Sequence, residues 1–254
     1  MVTSLSIGTG GLGRFGNQLF TIAGTIGIAR KNGMGFGFPR WKNYDNALFG
    51  GEVTDFKEHF VNPLPAIPDG RQWQEYPYFW GYKDVVLNGG DWNIHAHLQS
   101  PKFFEHCMDE VRHYFRMKDE PSMQDVVCVH YRAGDYQTGD KAYHPRQTKS
   151  YYKEAMKHFP NEMFLVFSDD LDEAEEIIEG KNVHYFEGED YLMDFAFMKQ
   201  CKHFIIANSS FSAMAALLGE HPEKKVVAPS KWFGNFVALE TKDIYHKDWL
   251  IIKI

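Results

Sequence analysis

The sequence predicts an α/β protein with a parallel sheet, and three observations carry that expectation. From Val126 onward, short apolar runs alternate with stretches of helical period. The amino terminus opens as a strand, a glycine-rich turn and a helix. With 254 residues, 44% of them hydrophobic, the chain can bury roughly 70–75% of its unfolded surface without a disulfide or metal staple.

The elements follow in order. Val2–Ile7 reads as a strand, Gly8–Gly16 as a turn and Gln18–Lys31 as a helix, because Leu19, Ile22, Ala23, Ile26 and Ala29 recur along one helical face. A short strand is expected near Met34–Phe38. Pro39 to about Ser100 has no period and reads as loops and short elements. Phe103–Phe115 carries Phe104, Cys107, Met108 and Val111 as a helical stripe and stops near Lys118 and Pro121. The alternation is then regular: strands at Val126–Tyr131, Met163–Ser168, Val183–Phe186, His203–Ala207 and Lys225–Ala228, and helices at Ser150–His158, Asp172–Ile178, Tyr191–Gln200 and Ser210–Leu218. The domain boundary is expected between Lys118 and Met123, giving domains 1–121 and 122–254.

Charge and composition exclude several classes. Lys and Arg total 27 against 34 Asp and Glu, a net −7, so no general positive field is available for a nucleic-acid backbone. There is no run of about 18 apolar residues, and Met1–Ile7 is too short and polar for a signal-peptide core, so a cytoplasmic protein is expected. Cys107, Cys128 and Cys201 form no Cys-x-x-Cys pair, which argues against a zinc or redox motif, and Cys128 reads as a core thiol.

Open α/β sheets bind ligands beyond the carboxyl ends of their strands, which directs attention to four places. Gly8-Thr9-Gly10-Gly11-Leu12-Gly13 fits the dinucleotide pattern, yet Pro39-Arg40-Trp41 follows the second strand where a ribose-binding acid is expected, and the first acid is Asp45. Gly13-Arg14-Phe15-Gly16-Asn17-Gln18 opens the helix with polar residues, suited to presenting backbone N–H groups to a diphosphate, or else to a tight packing turn. In the strand Val126–Tyr131, Cys128, His130 and Arg132 share one face and Val127, Val129 and Tyr131 the other. At its exit Arg132 can hold phosphate oxygens with its guanidinium fork and Asp135 can orient that fork; a purely structural Arg–Asp pair is the alternative. Asp169 is suited to paired N–H groups on a guanine edge, whereas Asp170 or Asp172 suits the cap of the acidic helix after it. Asp170-Leu171-Asp172 also spells the Asp-x-Asp of metal-holding sites. Ser209 or Ser210 can cap the next helix, and the same turn offers N–H groups and hydroxyls to a phosphate. The aromatic group Trp73, Tyr76, Tyr78, Phe79, Trp80 and Tyr82 is either a local mini-core or a set of flat faces for a sugar ring.

Taken together, Gly13–Phe20, His130-x-Arg132-x-Gly134-Asp135-Tyr136, Val166–Asp170, Cys201–Ser212 and Leu98–Phe104 resemble the α-1,2-fucosyltransferase family, in that family's order. The resemblance implies a GT-B-like fold, two Rossmann-like domains with a cleft between them. It implies GDP-β-L-fucose as donor, inversion at the anomeric carbon, no metal or other cofactor, and a glycan acceptor, with peripheral association where membrane glycans are assembled. It places Gly13, Arg14, Phe15, Gly16 and Asn17 at the donor, Asp169 on guanine, and Ser209, Ser210 and Phe211 on the nucleotide. It implies Arg132 as the catalytic residue that neutralises the β-phosphate, with His130 at the donor; for a general base, which the sequence does not identify, His130 and Asp135 are the catalytic candidates, each with a competing structural role. The chain departs from the family at Ala133, where a second arginine is usual, and at Ala213-Met214-Ala215, where the family is aromatic. A transferase of another GDP-sugar, an Asp-x-Asp metal-dependent transferase and a silent nucleotide-sugar- or glycan-binding module are the alternatives.

Overall fold

The computed structural model describes residues 1–9, 12–43, 54–136, 142–235 and 237–253, so Gly10, Gly11 and Asp45 lie outside the described residues. The chain divides into two compact units, Met1–Lys118 with Glu240–His246, and Asp119–Leu239 with Lys247–Ile254.

In the first unit the opening apolar run is extended only at Val2–Thr3 (β1), and Leu5–Thr9 forms a 3-10 helix instead of continuing the strand. Short polar side chains cause the bend: Asn93 Oδ1 accepts the Leu5 N–H at 2.8 Å, and the Ser4 and Ser6 hydroxyls bond each other at 2.8 Å. Helix α1 (Phe15–Lys31) starts three residues earlier than its apolar period and is buried from Phe15 to Ala29 except at Asn17, which makes it the central helix of this unit. Strands β2 (Lys42–Asn43) and β3 (Thr54–Asp55) pair antiparallel. Strands β4 (Gln74–Tyr76) and β5 (Trp92–Ile94) join β1 in a parallel sheet of order β1-β5-β4. The strand expected at Met34–Phe38 is reduced to single bridges from Phe36 to Val2 and from Phe38 to Ala66. The stretch Phe103–Phe115 is helical only at its end, in α2 (Met108–Tyr114), after 3-10 turns at Pro101–Phe103 and Glu105–Cys107.

The second unit realises the regular alternation. Its strands are β6 (Gln124–Tyr131), β7 (Phe164–Ser168), β8 (Val183–Tyr185), β9 (Cys201–Ile205), β10 (Val226–Pro229) and β11 (Leu250–Ile252). Its helices are α3 (Lys149–Met156), α4 (Leu171–Ile177), α5 (Tyr191–Lys199) and α6 (Ser210–Leu218). The strands form one wholly parallel sheet in the order β11-β10-β9-β6-β7-β8. Val127, Val129 and Tyr131 of β6 bury one face against Tyr151, Tyr152 and Ala155 of α3, each large side chain contributing about 1.5–3 kcal/mol. His130 faces the other way, toward α6, as alternation along the strand requires. Two tyrosines of α3 secure the strand ends: Tyr152 Oη donates to the His130 carbonyl at 2.9 Å and Tyr151 Oη to that of Ile206 at 2.7 Å.

Candidate functional site

The strand order contains a topological switch. The chain runs outward from β6 through β7 to β8, then crosses back to place β9 on the other side of β6. At such a point the connections beyond the strands diverge and leave a crevice at the carboxyl ends of β6 and β9. The segments that follow β6, β7 and β9 are His130–Asp135, Ser168–Asp170 and Asn208–Phe211, so three of the four places singled out in the sequence converge on one edge of one sheet.

Arg132 is the centre of that edge. Its guanidinium meets Asp135 Oδ1 at 2.7 Å and Asp169 Oδ2 at 2.7 Å, and lies 5.6 Å from the centre of the Tyr136 ring. Two of its five N–H bonds are used by the carboxylates, and 19% of the side chain remains exposed. Asp169 also accepts the Ala133 N–H at 2.9 Å, so this carboxylate holds both the arginine and the turn that carries it. Gly134 makes the approach possible: its φ is +27°, and a Cβ there would collide with Asp169 Oδ2. Ala133 itself is fully buried. Asp170 accepts the Glu173 N–H at 3.0 Å and is the cap of α4.

His130 is 4% exposed, and its Nδ1 lies 3.0 Å from Ser212 Oγ. Burial, and secondarily the Arg132 charge, push its pKa down to about 3, so the ring is neutral at pH 7. Its ring packs 5.7 Å from that of Phe211, which in turn meets Phe195 at 5.2 Å. Ser209 caps α6, its side chain accepting the Phe211 N–H at 3.3 Å, and Ser210 is the first residue of the helix.

Arg146 and Glu173, which brace this edge, have no local signature in the sequence, whereas Asn208 opens one of the segments singled out there. Arg146 Nε donates to the Tyr136 carbonyl at 2.8 Å, and its Nη1 reaches both oxygens of Glu173 at 2.6 Å. Tyr131 Oη donates to the same Glu173 at 2.7 Å. The loop after β6 and the start of α4 are thereby fastened to one another. Asn208, 1% exposed, accepts from Tyr136 Oη and Gln147 Nε2 and donates to the carbonyls of Pro145 and Trp232. A polar residue closing the apolar run Phe204–Ala207 was the available signal for it.

The glycine loop belongs to the first unit. Gly13 has φ +87°, Arg14 is exposed and occupies the N-cap position of α1, and Gly16 is buried in its first turn. Gln18 pins the loop by donating to the Gly13 carbonyl at 2.9 Å while accepting from Trp41 Nε1 at 2.7 Å. Phe15 is 3% exposed and stacks on Trp41 at 5.9 Å, so its side chain is part of the core. Asn17 Oδ1 accepts from Gln99 Nε2 at 2.6 Å. Among the described residues no group of three or more His, Cys, Asp or Glu is arranged to hold a metal ion. No described helix is long and apolar enough to cross a membrane.

The model of one protein family, Glycosyl transferase family 11, matches residues 73–253, a span that contains all three converging segments. The chain belongs to glycosyl transferase family 11. This family 11 chain is 35% identical over 130 residues to the O-antigen biosynthesis glycosyltransferase WbnK of Escherichia coli, covering 47% of this chain and 43% of that protein. It is 31% identical over 156 residues to an alpha-1,2-colitosyltransferase of Escherichia coli, covering 53% and 54%. The chain thus spans about half the length of the curated relatives it matches. In fold it is similar to POFUT1 in complex with GDP, with a TM-score of 0.52 over 89% of this chain and 97% of that one at 13% identity. That likeness extends to the GT-B-like α/β architecture with parallel sheets.

Proposed function

We propose that this family 11 protein transfers L-fucose from GDP-β-L-fucose to a hydroxyl of a glycan, in first place the 2-hydroxyl of a galactoside, with inversion and without a metal ion. The observation that carries the reading is Arg132 at the switch point, aimed by two carboxylates and backed by a buried neutral histidine. GDP-fucose is also bound by POFUT1, whose fold this chain shares.

In a loose, oxocarbenium-like transition state most new charge appears on the departing GDP. Fixed N–H donors at the diphosphate therefore supply the largest catalytic contribution. The three remaining N–H bonds of Arg132 are suited to that task, together with the backbone N–H groups at the start of α6. The Asp135–Arg132–Asp169 group carries a formal charge of −1, so the arriving diphosphate must displace one acid. Asp135, with 51% of its side chain exposed against 28% for Asp169, is assigned as the acid displaced. His130 is too weak a base and too buried to take the acceptor proton; its role in this reading is to hold Phe211 and α6 against β6. Asp135, released by the diphosphate, is the remaining candidate base. Gly13, Arg14, Gly16 and Asn17 are assigned to the donor on the motif resemblance alone. Asp169 retains lone pairs for a guanine edge beyond those given to Arg132 and Ala133.

Transfer of a different GDP-linked sugar is the second reading, favoured by the relative named for colitose. The test is a thermal-shift screen of GDP, UDP and ADP followed by transfer assays with GDP-fucose. A ligand at 100 times its Kd raises stability by about 2.7 kcal/mol. Stabilisation by UDP and not GDP refutes the donor. Arg132→Ala is expected to stay folded and lose at least 100-fold in kcat/KM; unchanged turnover places the diphosphate elsewhere.

A further inference from the structure

The aromatic group of the first unit divides in two. Tyr76, Phe79 and Tyr82 pack with Trp92 and Phe103 at ring separations of 4.9–6.2 Å, and Lys83 lies 4.7 Å and 4.4 Å over the Tyr76 and Phe79 rings. That part is a mini-core. Trp80 is different: its indole Nε1 donates to the Glu240 carbonyl at 3.2 Å, and its ring lies edge-on to His97 at 5.8 Å. Trp80, His97 and Gln99 line a shallow pocket open to solvent, bounded on another side by Glu240, Asp243 and Ile244.

The polar groups of this pocket are not fully used by the protein. His97 makes no side-chain hydrogen bond among the described residues, and its Nδ1 is shut away from solvent without a partner. Burial holds its pKa below the usual histidine value, so the imidazole is neutral and offers one donor and one acceptor. Gln99 gives its Nε2 to Asn17, and its Oε1 has no protein partner among the described residues. Of these groups the Nε2 edge of His97 and Gln99 Oε1 are not shut away from solvent, and they are the ones open to a ligand hydroxyl.

The backbone between these two residues is strained. Leu98 has φ +50°, the one non-glycine residue with positive φ among the described residues. It is held there because its side chain, 3% exposed, fills the space above Gly24 of α1, where a Cβ would collide with it. Strain of this kind costs on the order of 1–3 kcal/mol and is kept where the surroundings impose it. Here it presents His97 and Gln99 on either side of the kink, both lining the same pocket.

Resting on the transferase reading, we infer that this pocket is the subsite for one pyranose ring of the acceptor glycan. Trp80 provides the apolar wall for the ring's C–H face, and His97 and Gln99 bind its hydroxyls. The hydrogen bond from Gln99 to Asn17 links the subsite to the glycine loop within the same unit, so a hydroxyl on Gln99 lies one residue from the loop assigned to the donor.

The test measures binding separately from turnover. Saturation-transfer difference NMR is recorded on the full chain with GDP present and with methyl β-galactoside, methyl β-glucoside and their N-acetylated 2-amino counterparts as probes. At least one pyranoside is expected to show ring-proton saturation, reduced at least fivefold in Trp80→Ala and in His97→Phe. Tyr78→Ala, an exposed aromatic outside the pocket lining, is expected to keep it. A circular-dichroism spectrum and Tm matching the wild type show that each variant is folded, whether or not GDP binds. No pyranoside signal in the wild type, or a signal undiminished in both pocket variants, overturns the subsite. If pyranosides bind through Trp80 but GDP-fucose is neither bound nor consumed, the subsite stands and the transferase reading falls.

Discussion

Asp169 offers the sharpest test of the site, because two roles predict different outcomes for one substitution. In Asp169→Asn the amide oxygen can still accept the Ala133 N–H now bonded at 2.9 Å, but the ionic contact to Arg132 at 2.7 Å is lost. A hydrogen bond between charged partners contributes about 1.5–3 kcal/mol. The side chains are 28% and 19% exposed, so solvent screening reduces this to about 1–2 kcal/mol. For a chain of this size the expected loss in Tm is about 3–6 °C. Arg132 would then be held by Asp135 alone, and a diphosphate should bind about tenfold more weakly. The assay is calorimetric titration with GDP and with IDP, which lacks the 2-amino group. If Asp169 chiefly positions Arg132, both affinities fall by the same factor; if it chiefly reads guanine, GDP falls more than IDP, which offers only the N1–H. An unchanged Tm together with unchanged affinity for both nucleotides refutes both roles.

Four further outcomes are expected. Asp135→Asn removes the acid that competes with the diphosphate, so GDP affinity should rise severalfold while transfer falls; weaker GDP binding in calorimetry would contradict the displacement step. Gly134→Ala forces a side chain into a positive φ and onto Asp169 Oδ2, and should lower GDP affinity with a Tm loss like that of Asp169→Asn. Glu120→Ala removes the acid paired with Lys199, which is 7% exposed and also feels the Glu220 charge, and should lower stability by about 1–3 kcal/mol in urea unfolding. Asp194 is raised to about pH 7 by burial and by Asp190, whereas the unfolded chain titrates it near 3.8. The folded state therefore binds its proton more tightly, and the contribution present below pH 3.8 is lost as pH rises toward 7. Asp194→Asn should flatten the Tm profile between pH 4 and 7, and identical slopes in the two proteins would count against it.

The second unit was legible because each of its elements satisfies its own local rule. Val127, Val129 and Tyr131 alternate against Cys128 and His130, Asp170 and Ser209 cap their helices, and the loops that follow carry the chemistry. The first unit was less so. Its strands are two or three residues long and are defined by partners distant in sequence, as Val2 is by Trp92, so no periodicity can build up. The strand expected through Ile7 ended at Thr3 because Asn93, 88 residues on in the chain, captures the Leu5 N–H. β11 was missed for the same reason: three residues beside β10 are too few for a pattern. In the site, Arg132, Asp135 and Asp169 could be nominated from strand ends. The contact between Arg132 and Asp169 could not, since it depends on the register of β6 against β7 that sets Tyr131 beside Ser168. Arg146 and Glu173 lie outside any motif and become neighbours only through the packing of α4.

The segment Glu240–His246 belongs with the first unit although it follows nearly all of the second in the chain. During synthesis the first 118 residues therefore emerge long before Glu240, Asp243 and Ile244 are made. The wall that these residues give the Trp80 pocket is added only after nearly all of the second unit has been made. A nascent chain can thus complete the sheet from β6 to β10 while the first unit still lacks this wall, and a ribosome that stops short of residue 240 releases a product with the Arg132 edge in place and the Trp80 pocket unfinished.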